Sequence, residues 1–189
     1  EPGRKVFTIA HEIGHYILPG HGTSEYHCTK DDINSFRAQV ARERETAANR
    51  FASELLLPTP LIYKKVADRS ATISLAREIC NEFGTSLTAS AIKCINVTDE
   101  ACAVIWSERN CAKWARKSQS FKPFIKTGIL SADTIAGQLF KDQTHRELEG
   151  EVRSDAWLSL NEHSKGTSLW EESIYMPFYD GVLTILTLN

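Results

Sequence analysis

The sequence predicts an α+β protein: a helical first half, then an antiparallel sheet carrying one helix. Three observations predict it. Before residue 98 the segments are rich in helix formers and are punctuated by Pro and Gly. After Asp99 short apolar or alternating runs take over, with turn residues between them. No internal repeat or low-complexity tract blurs the change. Two domains are therefore expected, residues 1–98 and residues 99–189.

Residues 5–18, KVFTIAHEIGHYIL, read as an apolar helix that Pro19-Gly20 stops. Residues 19–35 are polar and without a period, as functional or mobile loops are. Residues 36–57 read as a second helix, ended by Pro58. Thr59-Pro60 look like the cap and first position of a short third helix, LIYKKVAD. SLAREICNEF and SLTASAIKCINV are two more, with Gly84 between them. ACAVIWSE and CAKWARKS read as strands joined by a turn at Arg109-Asn110. Ser131 is the expected cap of a helix over SADTIAGQLFKDQ. VRSDAWLSL alternates, with Val152, Ser154, Ala156, Leu158 and Leu160 on one face, and predicts a strand. TSLWEESIYMPFY and VLTILTL predict a final hairpin turning at Asp180-Gly181.

Composition excludes several classes. The chain has 189 residues, is 42% hydrophobic and 24% charged, and carries a formal charge of −2. That excludes disorder, collagen and coiled coil, and it supplies no global basic field for nucleic acid or anionic lipid. The two halves are balanced too, with 12 basic against 11 acidic residues in 1–98 and 10 against 13 in 99–189. No apolar run approaches the roughly 18 residues a membrane span needs. Five Cys without a CxxC pair, Cys28, Cys80, Cys94, Cys102 and Cys111, argue against a disulfide framework or a zinc ribbon. With no secretory segment at the start of the sequence, buried thiols in a reducing cytoplasm are expected.

The chemistry lies in His11-Glu12-Ile13-Gly14-His15, an HExxH motif. On a helix, His11 and His15 lie one turn apart on one face and can share a metal ion, with Glu12 beside them to accept a proton from metal-bound water. Val6, Phe7, Ile9, Ala10, Ile13, Ile17 and Leu18 make that helix apolar nearly all round, so it is expected to be buried, where two His and a Glu need a reason. A catalytic zinc takes three protein ligands and keeps one position open. The expected third ligand is Glu45, the one acid on a stripe with Ala41, Ala48, Ala52 and Leu55. Glu43 and Glu54 are alternatives on a neighbouring stripe, where Glu54 can pair with Arg50. Asn49, one turn after Glu45, could orient a ligand from behind.

These residues carry a resemblance. FTIAHEIGHYIL followed by ETAANRFASELLLP resembles the ImmA/IrrE family of metallopeptidases. The second segment matches the family pattern through Glu45, Asn49, Arg50, Phe51, Ala52, Leu55, Leu56 and Pro58. The resemblance covers residues 5–60 closely and the helices to residue 97 more loosely. It implies a zincin-like fold with one zinc ion on His11, His15 and Glu45, and Glu12 as the catalytic base. It also implies a cytoplasmic regulatory protease that cleaves a helix-turn-helix repressor of the Xre/Cro type in a stress response or a mobile element. The family usually carries structure upstream of the HExxH helix, including strands that line the substrate cleft; here ten residues precede the motif.

An oxyanion donor is needed as well, and His21, His27 and Tyr63 are candidates that no spacing rule separates. Two other function classes compete. LAREICNEFGTSLTASAIKCI has the outline of a helix-turn-helix, so residues 74–97 could serve a DNA-binding regulator. As far as Ile95 its second helix offers Ser86, Thr88, Ser90 and Lys93 but no Arg, Asn or Gln to read bases, and direct nucleic-acid contact is not expected. The sheet half is compatible with a PAS- or GAF-like sensor module, with Trp106, Trp114, Trp157 and Trp170 as its core.

Overall fold

The computed structural model describes residues 2–19, 30–142, 144–159 and 167–188. Five helices come first: α1 (Pro2–Ile17), α2 (Lys30–Leu56), α3 (Thr59–Val66), α4 (Ile73–Phe83) and α5 (Leu87–Val97). Thr72 and Ser86 cap α4 and α5 by accepting from Leu75 N and Ala89 N, each satisfying a backbone donor the helix leaves free.

The hairpin β1 (Cys102–Glu108) and β2 (Cys111–Lys117) follows, turning where Arg109 and Asn110 both take positive φ. Then come β3 (Gly128–Ile129), α6 (Ile135–Lys141), β4 (Glu147–Arg153), α7 (Ser154–Trp157), β5 (Ser168–Met176) and β6 (Gly181–Leu188). Six strands form one sheet in the order β3-β2-β1-β6-β5-β4, every pairing antiparallel. The α+β class holds, and Asp180 makes the final turn with φ 46°. Among the described residues, no helix is long and apolar enough to cross a membrane.

Three expectations need correction. The strand expected over 152–160 stops at Arg153. Residues 154–157 form one helical turn instead, because Ser154 and Trp157 turn inward and Arg153 holds Asp155 with two hydrogen bonds of 3.0 and 2.6 Å. The strand that β5 requires as a partner is β4, mostly upstream, where charge at Glu147, Glu149 and Glu151 hid the signal. Helix α6 begins four residues after Ser131, and its cap is Thr134, which accepts from Gly137 N.

The sheet is buried on both faces. One core packs α3, α4 and α5 against Cys102, Val104, Trp106, Leu183 and Ile185 of the sheet. The other packs Phe121, Ile125, α6 and Trp157 against Ala103, Ile105, Val182 and Leu186. Successive residues of β1 thus serve opposite cores, as the strand period of two requires. Residues 57–97 and the sheet therefore share apolar surface, and position 98 is where helices give way to strands within that body. Of the four tryptophans, Trp106 and Trp157 are buried and Trp114 is half-buried, but Trp170 is outside the core at 39% exposure.

Cys80, Cys94, Cys102 and Cys111 are free thiols; Cys28 lies outside the described residues. Burial pushes Cys94 and Cys102 up to about 12, so both are protonated apolar side chains at any physiological pH.

Candidate metal centre

Two helices build the site. Gly14 sits in the α1–α2 crossing, where a β-carbon would meet Phe51 at 3.1 Å and the Ala48 backbone at 3.2 Å. With Ala48 and Ala52 fully buried beside it, the helices approach closely at this level. Small residues on both sides of a crossing bring the side chains one turn away within reach of each other. At its other end α1 is seated by Gly3, where a β-carbon would lie 2.8 Å from the Thr85 carbonyl carbon at the α4–α5 turn.

His11, His15 and Glu45 converge above the Gly14 crossing. The two Nε2 atoms stand 3.0 Å apart. Glu45 places Oε2 3.3 Å from His11 and Oε1 3.2 Å from His15. The potential ligand atoms all lie within 4.8 Å of one another. Behind His11, Nδ1 donates to the Asn49 amide oxygen at 3.0 Å. With the proton on Nδ1, the Nε2 lone pair of His11 faces the other two groups. Three potential donor atoms this close together, two nitrogen and one oxygen, suit a single divalent cation, and a two-His, one-carboxylate set leaves a position for water. The residues present fit a zinc ion.

The surroundings differ from expectation. Among the described residues helix α1 is not enclosed: Ala10 and Gly14 are buried, but Ile9 is 61% and Tyr16 92% exposed, and Val6, Ile13 and Ile17 are exposed too. Its apolar residues encircle the helix, while α2 covers one side of it. Glu45 is 59% exposed on its side chain, so its place here does not rest on the cost of an isolated buried charge. Glu12 is exposed on α1, next in sequence to a candidate ligand.

The alternative acids go elsewhere. Glu43 is exposed and accepts from Gln39 on its own helix. Glu54 pairs with Lys93 at 2.5 Å, not with Arg50, and accepts from Thr59 N and Oγ1 at 3.1 and 2.8 Å. The Lys93 ammonium beside it holds the Glu54 carboxyl below the usual range. Lys93 is itself buried and also donates to Thr59 at 2.8 Å, a link that the lone cation of a possible reading helix did not suggest. Ser90 is likewise buried and bonded to Thr85. Ser90 and Lys93, two of the polar residues that a reading helix would offer, thus face inward. Tyr63 is half-exposed on α3, and His21 and His27 lie outside the described residues.

Residues 1–94 match the family model of the IrrE N-terminal-like domain, a peptidase family. The N-terminal half of the chain belongs to this family. The match ends inside α5, so the IrrE-like half contributes the metal-centre helices and also the helices that roof one face of the sheet. No curated protein matches the chain.

Proposed function

We propose that the chain is a zinc-dependent endopeptidase that uses Glu12 as general base, and that its substrate is a helix-turn-helix repressor of the Xre/Cro type. The convergence of His11, His15 and Glu45 carries the chemical part of the reading. The resemblance to the ImmA/IrrE family supports the substrate class and a cytoplasmic setting.

Zinc, when bound, supplies a water whose pKa falls to about 7 and polarises the scissile carbonyl. Glu12 would accept a proton from the attacking water at its carboxylate and return it to the leaving amine. Asn49 keeps the proton of His11 on Nδ1 and so keeps Nε2 free to ligate. Glu45 would supply the third ligand, an anionic oxygen beside the two imidazole nitrogens. We assign the sheet a regulatory role of the PAS- or GAF-like kind. In support, β1 lies between its hairpin partner and the last strand, and both sheet faces are covered. A change in the sheet would reach α2 through α5, because Lys93 of α5 holds Glu54 of α2.

The test is to incubate the zinc-loaded chain and its Glu12→Gln variant with an Xre/Cro-type repressor and follow cleavage by mass spectrometry. The variant should bind one zinc per chain and cleave about 10²–10⁴-fold more slowly. Parent-rate cleavage by Glu12→Gln would remove Glu12 from the reaction, and a parent chain that binds no zinc would sink the reading as a whole.

A further inference from the structure

The outer edge of β2 is open and strongly basic. Strand β3 pairs with Cys111 and Ala112 alone, so among the described residues nothing continues the ladder beyond positions 113–117. A β-bulge opposite Trp106/Ser107 places Lys113 as the extra residue of β2. Residues 109–126 contain Arg109, Lys113, Arg116, Lys117, Lys122 and Lys126 and no Asp or Glu, in a chain whose net charge is −2. All six are exposed, and among the described residues none forms an ion pair with a carboxylate. Arg116 lies over the Trp114 ring, 5.8 Å from its centre, and Lys117 is tethered to the carbonyls of Lys122 and Pro123 at 3.3 and 3.0 Å. Several of these cations are therefore preset rather than freely swinging.

We propose that this edge is a docking site for an extended acidic peptide segment of a partner protein, added as a further strand beside β2. Unpaired backbone groups of an edge strand give such a segment its affinity, and flanking side chains choose its sequence. Here the successive residues Arg116 and Lys117 lie on opposite faces of the strand, so acidic side chains on either face of the incoming strand meet a cation. Lysines at a sheet edge also repel like-charged edges. That protection does not extend to acidic strands. The acidic edge of this same sheet, β4, is a poorer occupant: Glu147 is already held by Arg77 at 2.5 Å. Joining β2 of one copy to β4 of the next is also a head-to-tail contact, which builds rings or filaments rather than a two-fold pair.

The probe is a fluorescein-labelled ten-residue peptide of alternating glutamate and threonine, with anisotropy read against the full chain. It should bind, and binding should weaken at least tenfold between 50 mM and 500 mM salt. A peptide of alternating glutamate and proline keeps the charge but cannot form a ladder, and it should bind at least tenfold more weakly. The chain with Lys113→Glu and Lys117→Glu should lose binding while its thermal midpoint stays within a few degrees of the parent. Equal binding of the two peptides, or unchanged binding by the doubly substituted chain, would overturn the proposal. So would a twenty-nucleotide single strand that binds where the acidic peptide does not, or sedimentation showing that the peptide competes with self-association of the chain.

Discussion

The side-chain oxygen of Asn49 lies 3.0 Å from Nδ1 of His11, across the crossing of α1 and α2. A ring hydrogen-bonded at Nδ1 presents Nε2 without rotating, which a ligand needs if it is to meet a cation already in place. Asn49→Ala should therefore lower zinc affinity by about 10–100-fold while leaving the helices folded. A competition assay with a chelating dye measures it. Unchanged affinity would mean that the crossing alone orients the ring.

Glu45→Ala should lose zinc and activity together, because it removes one of three converging donors. Glu43→Ala should bind zinc normally, since among the described residues Glu43 accepts from Gln39 of its own helix and is not in the His11–His15–Glu45 group. Metal content after gel filtration separates the two variants. A zinc-replete Glu45→Ala chain would remove Glu45 as the third ligand.

Glu171 is a different kind of carboxylate. It is fully buried in β5 and accepts from Ile135 N, Ala136 N, Trp157 Nε1 and Ser173 Oγ. Burial raises it above the usual glutamate range, and those four donors oppose the rise. Glu171→Gln is nearly isosteric but turns an N–H₂ toward donors that need an acceptor. It should cost about 1–3 kcal/mol of stability, read by chemical denaturation, although it removes a buried charge.

The Glu54–Lys93 pair predicts an acid limb in the stability curve. The Glu54 carboxyl is lowered in the folded chain, so the folded state binds fewer protons than the unfolded one at mildly acid pH. The contribution is present above the ordinary glutamate range and is lost as pH falls through the lowered folded value. Glu54→Gln should flatten that part of the curve. Because Glu54 is about half exposed, the effect is modest and shrinks in high salt. A limb unchanged by the substitution would place the transition in other carboxylates.

The sequence carried the convergence of the candidate site's side chains further than it carried the sheet. His11, His15, Glu45 and Asn49 were legible because helical spacing is rigid: residues three, four and seven apart share a face whatever surrounds them. The burial expected for α1 failed because composition around a helix says which faces are apolar, not which are covered. Glu54 and Lys93 are 39 residues apart, and no local period connects them. Strand β4 was hidden because an edge strand tolerates glutamates at 147, 149 and 151, whereas β1, β5 and β6 announced themselves by apolar content. Residues 154–157 alternate like a strand, which would bury Ser154 with Ala156, yet one helical turn buries Ser154 with Trp157.

The apolar face shared by α4, α5 and the sheet has a practical side for anyone dividing this gene. A cut at residue 98 runs through a joint, not along a seam. The first piece would keep Ile73, Ile79, Ala91 and Ile95 with nothing to lie against, and the second would present Val104, Leu183 and Ile185 bare. Each should clump when made alone, and the two should recover each other when produced together, as halves of a split reporter do.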